Sequence, residues 1–307
     1  MTGQSSGDLS ADRRYLWAEA SRKDGDLAAA ADLYRQAIEI APDWPAAWFG
    51  LGETLAALGE PEPAKEAFGV CLGLAPGDPF GASLHLARLT GDTTDAMPAA
   101  YVTRLFDDYA DRFESHLVDT LDYRGPAILL EALEQTAPAA RFEAVCDLGC
   151  GTGLMARALA WRAGAIDGID LSPNMVAHAE RTGLYRRLLA TDCLAGLATL
   201  SGAYDLIVAA DVFVYLGDLA PVLAAARART RDGGWMAFTV QALPEPTATD
   251  AGFALGPDLR YAHSTAYLVQ AARDACWTTR LLAPAVTRRD AGRDVPGLVV
   301  VLSCDGA

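Results

Sequence analysis

One stretch narrows the folds open to this chain more than any other: Asp147-Leu148-Gly149-Cys150-Gly151-Thr152-Gly153. An apolar run, Ala144 to Leu148, enters three glycines spaced two apart, and a helical segment leaves from Leu154. Glycine is needed there because a side chain would hold a ligand off the backbone, and because the turn can demand positive φ. From Phe142 onward, short apolar runs alternate with longer helical segments. The pattern predicts strands at 143–148, 165–170, 186–190, 204–210, 234–241, 278–283 and 297–303, and helices at 154–163, 173–182, 219–231 and 264–275. Such alternation gives a mostly parallel sheet covered on both faces, with the ligand beyond the carboxyl ends of the strands. The last two strands have no helix between them and are expected to pair antiparallel. Ser172-Pro173 reads as a helix start, hydroxyl cap followed by proline in the first turn.

The first hundred residues keep a different rhythm. Gly25 and Gly59, Ala30 and Ala64, Tyr34 and Phe68, and Pro42 and Pro76 are each 34 positions apart, the period of the tetratricopeptide repeat. Small residues let paired helices approach, large ones fill the space between pairs, and proline ends the second helix. The first unit is degenerate at its start, with Trp17 and Ala18 at its Leu-Gly positions. A helix over Pro79 to Leu89 is expected to cap the stack. The expected domains are therefore an all-α repeat domain at 11–92 and an α/β domain at 97–307. A polar stretch, Thr90 to Asp95, separates them; Tyr101 to Leu121 is then apolar at helical spacing through Leu105, Tyr109, Phe113 and Leu117, and a second helix is expected from Gly125 to Thr136.

Composition removes several function classes. The formal net charge is −15. Duplex binding needs a basic stripe, and Arg186-Arg187, Arg227/Arg229/Arg231 and Arg288-Arg289 are short runs that read as solvated faces, so nucleic acid is not an expected partner. No apolar run reaches the roughly 20 residues of a membrane helix, and the polar start is no secretory signal, so a cytoplasmic protein off the membrane is expected. The six cysteines form no Cys-x-x-Cys pair, and the four histidines make no metal-spaced cluster, so neither disulfides nor a metal is expected.

The glycine loop alone does not choose its cofactor. Gly151-x-Gly153-x-x-Ala156 also fits the dinucleotide fingerprint, with Asp170 at a plausible distance for a ribose. Two features point away from a nicotinamide enzyme. Asp147 ends the first strand, where a carboxylate suits a cofactor with an ammonium and a sulfonium better than one with two phosphates. Gly149 adds a third glycine, so the run reads Asp-x-Gly-x-Gly-x-Gly. Val145 to Gly153, Gly168-Ile169-Asp170-Leu171-Ser172-Pro173-Asn174-Met175, Ala190-Thr191-Asp192-Cys193, Tyr204 to Asp211 and Gly233-Gly234 together resemble the class I S-adenosylmethionine-dependent methyltransferases over about residues 100 to 303. Leu105-Phe106-Asp107-Asp108-Tyr109-Ala110, Tyr261-Ala262-His263-Ser264 and Val295-Pro296-Gly297 bring the chain closer to bacterial tetratricopeptide-repeat-containing methyltransferases.

The resemblance implies a Rossmann-like, seven-stranded, mostly parallel sheet with an antiparallel last strand behind the repeat domain. It implies S-adenosyl-L-methionine as cofactor. Asp147 would orient the methionyl ammonium, with the backbone of Gly149, Cys150, Gly151 and Gly153 against the ligand. Asp170 would accept from both ribose hydroxyls, and Asp192 with the Cys193 amide would read the adenine edge. Leu171 and Met175 would pack the adenine faces. Asp211, at the end of the fourth strand, and Tyr109, on a helix that closes over the cofactor, complete the cofactor set. For catalysis the candidates are His263, facing the site as a base, and Tyr215, shaping the acceptor pocket. Phe253 to Leu259 reads as a lid or insertion. The leading reading is transfer of a methyl group to an O or N nucleophile of a small molecule. A protein acceptor docked on the repeats, a non-catalytic repeat adaptor, and dimerisation through the repeats stay open.

Overall fold

The computed structural model describes residues 5–108, 110, 123–244, 251–290 and 292–304, and the chain divides into two units, Met1–Tyr101 and Val102–Ala307. Tyr109, Phe113, His116 and Leu117 lie outside the described residues.

In the first unit two antiparallel helix pairs follow each other: α1 (Leu9–Lys23) with α2 (Leu27–Ile40), and α3 (Pro45–Ala57) with α4 (Pro61–Leu74); α5 (Ala82–Thr90) packs on α4. Asp8 and Asp26 cap α1 and α2 through their carboxylates, and prolines start α3 and α4, where the missing N–H costs nothing. The repeat pattern is realised as packing. A Cβ on Gly50 would stand 2.5 Å from the Tyr34 ring, and one on Gly52 would stand 2.7 Å from Phe68. Both rings are fully buried. The Tyr34 hydroxyl donates to Glu19, and His85 stacks on Phe68 with centroids 4.8 Å apart. Gly50→Ala is expected to cost about 1 to 3 kcal/mol through overpacking, read as a lower denaturation midpoint of the helical unit. An unchanged midpoint would mean that Tyr34 yields freely.

The second unit is built on one sheet. Its strands are β1 (Phe142–Leu148), β2 (Ala163–Asp170), β3 (Tyr185–Ala190), β4 (Tyr204–Ala209), β5 (Thr230–Ala242), β6 (Phe253–Leu255), β7 (Tyr261–His263), β8 (Thr278–Asp290) and β9 (Arg293–Ser303). The parallel order β3-β2-β1-β4-β5 reverses direction of growth at β1, which sets the ligand crevice beyond its carboxyl end. β9 runs antiparallel to both β5 and β8, as the missing helix between the last two strands required. Beyond the seven expected strands there are two more. The stretch expected as a lid folds into a short hairpin, β6 against β7, and β7 pairs parallel with the end of β5 through Gln241 and Ala262. Three-residue strands are too short to show alternation in sequence.

Helices α6 (Ala99–Asp107), α7 (Gly125–Thr136), α8 (Leu154–Leu159), α9 (Pro173–Arg181), α10 (Cys193–Thr199), α11 (Ala220–Ala228) and α12 (Thr265–Asp274) surround this sheet in sequence. One face of the sheet is covered by a core that includes Leu129, Leu133, Val145, Leu159, Val208 and Val301, the other by one that includes Ile207, Phe213, Leu223, Phe238, Leu268 and Trp277. Helix α10 has no counterpart among the helices that the sequence pattern predicts. It is only seven residues long, and its Gly196 is there for room: a Cβ would meet Ile169 at 2.6 Å. Helix α8 ends at Leu159, earlier than the expected 163, because β2 begins there.

Candidate active site at the carboxyl end of the sheet

The glycine turn has the backbone that its residues permit. Gly149, Gly151 and Gly153 all have positive φ, at 63°, 52° and 94°. A Cβ on Gly149 would stand 2.3 Å from Val212, so the turn is pressed against the segment that follows β4. The Cys150 amide donates to Ile169 O at 3.0 Å, and the Gly151 amide to the Asp170 carboxylate at 2.8 Å. The first two acids of the motif thereby converge on one loop. Thr152 is buried, and its hydroxyl has no hydrogen-bond partner among the described residues.

Asp147 is buried, and its carboxylate accepts from the Tyr185 hydroxyl at 2.7 Å. Burial pushes its pKa up to about 7, against the pull of the Tyr185 hydrogen bond, and neighbouring Asp170 adds to the rise. Asp170 is raised too, first by burial, although the amides of Ser172 and Gly151 favour its ionised form. The site thus concentrates two acids that each resist ionisation until a cation or hydroxyl donors arrive. Tyr185 was not singled out in the sequence. Its ring passes between two glycines, since a Cβ on Gly168 would stand 2.8 Å from it and one on Gly153 3.3 Å. An aromatic residue opening a strand beside two glycines is the only sequence signal it leaves.

Asp170 is tied forward as well. Its Oδ1 accepts from the Ser172 amide at 2.9 Å. Ser172 caps α9 by accepting from the Met175 amide at 3.0 Å, and its hydroxyl donates to Asp107 at 2.5 Å. Asp107 stands at the end of α6, so the segment Leu105 to Asp108 is moored to the same loop. Leu171 is half-buried, and Met175 is fully buried. Asp192 is exposed and caps α10, accepting from the Ala195 amide at 2.9 Å. Cys193 is half-buried beside it, with burial pushing its thiol up to about 12, and burial also raises Cys150 well above the thiol range.

The remaining candidates gather after β4. Asp211 has φ 60° and is gripped by Arg288, whose Nη1 lies 2.9 and 3.0 Å from its two oxygens. It is therefore neutralised by the protein itself. Arg288, read in the sequence as a solvated face, is buried. Arg186 and Arg187 are likewise not simply solvated: both donate to the buried Asp167, at 2.6 and 2.7 Å. Tyr215 accepts from Arg260 at 2.5 Å and meets Phe106 edge-on at 5.4 Å. His263 is fully buried in β7. Its Nε2 lies 3.0 Å from Gly217 O, its Nδ1 has no partner among the described residues, and burial depresses its pKa to about 4. The structure thus brings Asp147, Gly149, Gly151 and Asp170 together, places Asp211 and Tyr215 in an arginine-rich cluster beside them, and sets His263 inside the edge of the sheet.

Comparison with known proteins agrees with both halves. Residues 146–236 match the model of a methyltransferase domain, and residues 21–88 match a tetratricopeptide-repeat model. The biotin biosynthesis bifunctional protein BioCD of Bordetella avium is 34% identical over 158 residues, covering 48% of this chain and 32% of that protein. The ubiquinone biosynthesis O-methyltransferase of Bordetella pertussis is 28% identical over 113 residues, covering 35% of this chain and 46% of that protein. The chain thus spans from 32% to 46% of the length of these curated relatives. The crystal structure of the Burkholderia thailandensis 1,6-didemethyltoxoflavin-N1-methyltransferase, bound to 1,6-didemethyltoxoflavin and S-adenosylhomocysteine, has a TM-score of 0.52 at 18% identity, covering 70% of this chain and 93% of that one; the likeness is one of fold.

Proposed function

We propose that this chain, which carries a methyltransferase domain and tetratricopeptide repeats, transfers a methyl group from S-adenosyl-L-methionine to an O or N nucleophile of a small molecule. The observation that carries the donor is the placement of two buried, pKa-raised acids, Asp147 at the end of β1 and Asp170 at the end of β2, on either side of the glycine turn that Asp170 bonds. A diphosphate would face both carboxylates. An ammonium and a ribose diol would each supply what one of these acids lacks. The residues present therefore fit this cofactor, which supplies an already activated methyl group when bound.

Asp147 would hold the ammonium, and the amides and α-carbons of Gly149, Cys150, Gly151 and Gly153 would flank the ligand. Asp170 would take the ribose. Leu171, Met175, Asp192 and the Cys193 amide would receive the adenine. Asp211 acts from one step away, through Arg288, and Tyr215 faces the acceptor. We assign His263 a positioning role: a base must reach its proton, and this imidazole is fully buried and bonded to Gly217. What the protein contributes to an in-line displacement is chiefly alignment. The small-molecule reading is supported by relatives named for biotin and ubiquinone biosynthesis. Incubating the protein with methyl-labelled cofactor and lysate split into small-molecule and protein pools tests it. Label is expected in the small-molecule pool, and label confined to protein would overturn the acceptor class.

The raised Asp147 makes a further prediction. With its folded pKa near 7 and an ordinary value of 3.8, the empty protein holds a proton there that the unfolded chain has lost. Stability contributed by this group is greatest below about pH 4 and falls as pH rises toward 7. Binding the ammonium runs the opposite way, because it needs the carboxylate. S-adenosylhomocysteine affinity should therefore strengthen by about tenfold from pH 6 to pH 8. Asp147→Asn should weaken binding and flatten the profile. Tyr185→Phe removes a bond to the ionised form and should move the midpoint upward. A flat profile in the native protein would remove Asp147 from the ammonium.

A further inference from the structure

We infer that the acceptor carries an oxyanion, a carboxylate or a phosphate, held by Arg260 beside Tyr215. This deepens the small-molecule reading and rests on it. Arg260 directly precedes β7 and is half-buried. A guanidinium has five N–H donors. Among the described residues its side chain makes one hydrogen bond, from Nη1 to the Tyr215 hydroxyl at 2.5 Å, and its carbon stands 5.1 Å from the centre of that ring. No described carboxylate stands within ion-pair distance.

The nearby acids are already committed. Asp211 is gripped by Arg288. Asp258 is exposed, and its oxygens accept from the Gln241 side chain and from the backbone amide of Arg260, each at 3.2 Å. The Arg288 Nη2 donates to Gln241 Oε1 at 3.2 Å, so Asp211, Arg288, Gln241 and Asp258 form one continuous chain of hydrogen bonds around the base of Arg260. Asp211 and Asp258 favour the Arg260 charge from a distance but neither touches the guanidinium, so a partly desolvated cation in a fixed frame keeps donors for an anion in direct contact.

The cluster stands where an acceptor must arrive. Tyr215 follows β4, three residues after the Val212 that presses on Gly149, and Arg260 stands next to the carboxyl end of β5. Phe106 and Tyr215 meet edge-on there and offer an apolar wall beside the charge. The overall charge of −15 would repel an anion from most of the surface, which makes a local cation the more necessary for such a substrate. The planar fork of arginine suits carboxylate and phosphate alike.

The test is calorimetric titration of the full chain with benzoate, phenyl phosphate and benzamide, each with and without S-adenosylhomocysteine. One or both anions should bind, benzamide should bind at least about tenfold more weakly, and the tighter anion tells carboxylate from phosphate. Arg260→Met should lose the anion by about tenfold or more while binding S-adenosylhomocysteine as the native protein does, and Arg260→Lys should recover part of the loss. If the anions do not bind, if benzamide binds as tightly as they do, or if Arg260→Met binds them normally, the inference is wrong. Failure of S-adenosylhomocysteine to bind the native protein would instead overturn the donor, and the titrations without it still judge Arg260.

Discussion

Asp170→Ala should abolish binding of S-adenosylhomocysteine, weakening it by a hundredfold or more, while the protein stays folded. The size follows from what one side chain does. On our reading its carboxylate accepts both ribose hydroxyls, and charged hydrogen bonds of this kind are worth about 1.5 to 3 kcal/mol each. It also fixes the glycine turn by accepting from the Gly151 amide, and the α9 cap by accepting from Ser172. The fold depends on it much less. Burial already disfavours its charge, and its neighbours are backbone amides at the rim of a crevice. Its loss should lower the melting temperature by only about 2–4 °C. Calorimetry with native-like affinity would remove Asp170 from the ribose.

Asp167, three residues earlier on the same strand, should behave in the opposite way. It is fully buried and receives Arg186, Arg187 and the Tyr204 hydroxyl, the last at 2.8 Å. Burial opposes its ionisation, yet these partners hold its pKa down at about 2. Asp167→Ala strands the Tyr204 hydroxyl in the core and leaves two arginines facing each other. Breaking a buried pair costs about 3 to 5 kcal/mol, and since both arginines are half-exposed we expect about 3 kcal/mol, or roughly 6–12 °C in melting temperature. The sign with pH is that of a depressed acid. Its contribution is complete above about pH 4 and is lost as pH falls toward 2, amounting to about 2 kcal/mol. Acid denaturation of the native chain should steepen over that interval, and the variant should not show the step. Equal stability of the two proteins at neutral pH would show that the pair contributes nothing. One strand thus carries an acid for the fold and an acid for the site, and only their partners tell them apart.

Those partners explain what the sequence could and could not disclose. The period between Tyr34 and Phe68 survived translation into packing because each ring needs a glycine on the facing helix, and glycine is conspicuous. Asp147 and Asp170 were legible because they end strands whose apolar runs can be counted. Arg288 was misread as a solvated face because its partner, Asp211, is 77 positions away. The roles of Tyr185 and Asp107 were hidden for the same reason: Tyr185 bonds Asp147 from 38 positions away and Asp107 bonds Ser172 from 65, so neither partner shows in a local pattern. The segment from Phe253 to Leu259 looked like a lid because two prolines precede it. The edge of β5 was free to accept a short strand there, and it did.

Donor, site and reaction all depend on what the glycine turn holds. The most direct measurement is calorimetric titration of the full chain at pH 8 with S-adenosylhomocysteine and, separately, with NADH. Two buried acids beside that turn predict binding of the first and none of the second. Tight binding of NADH with no response to S-adenosylhomocysteine would contradict the assignment of donor, site and reaction together.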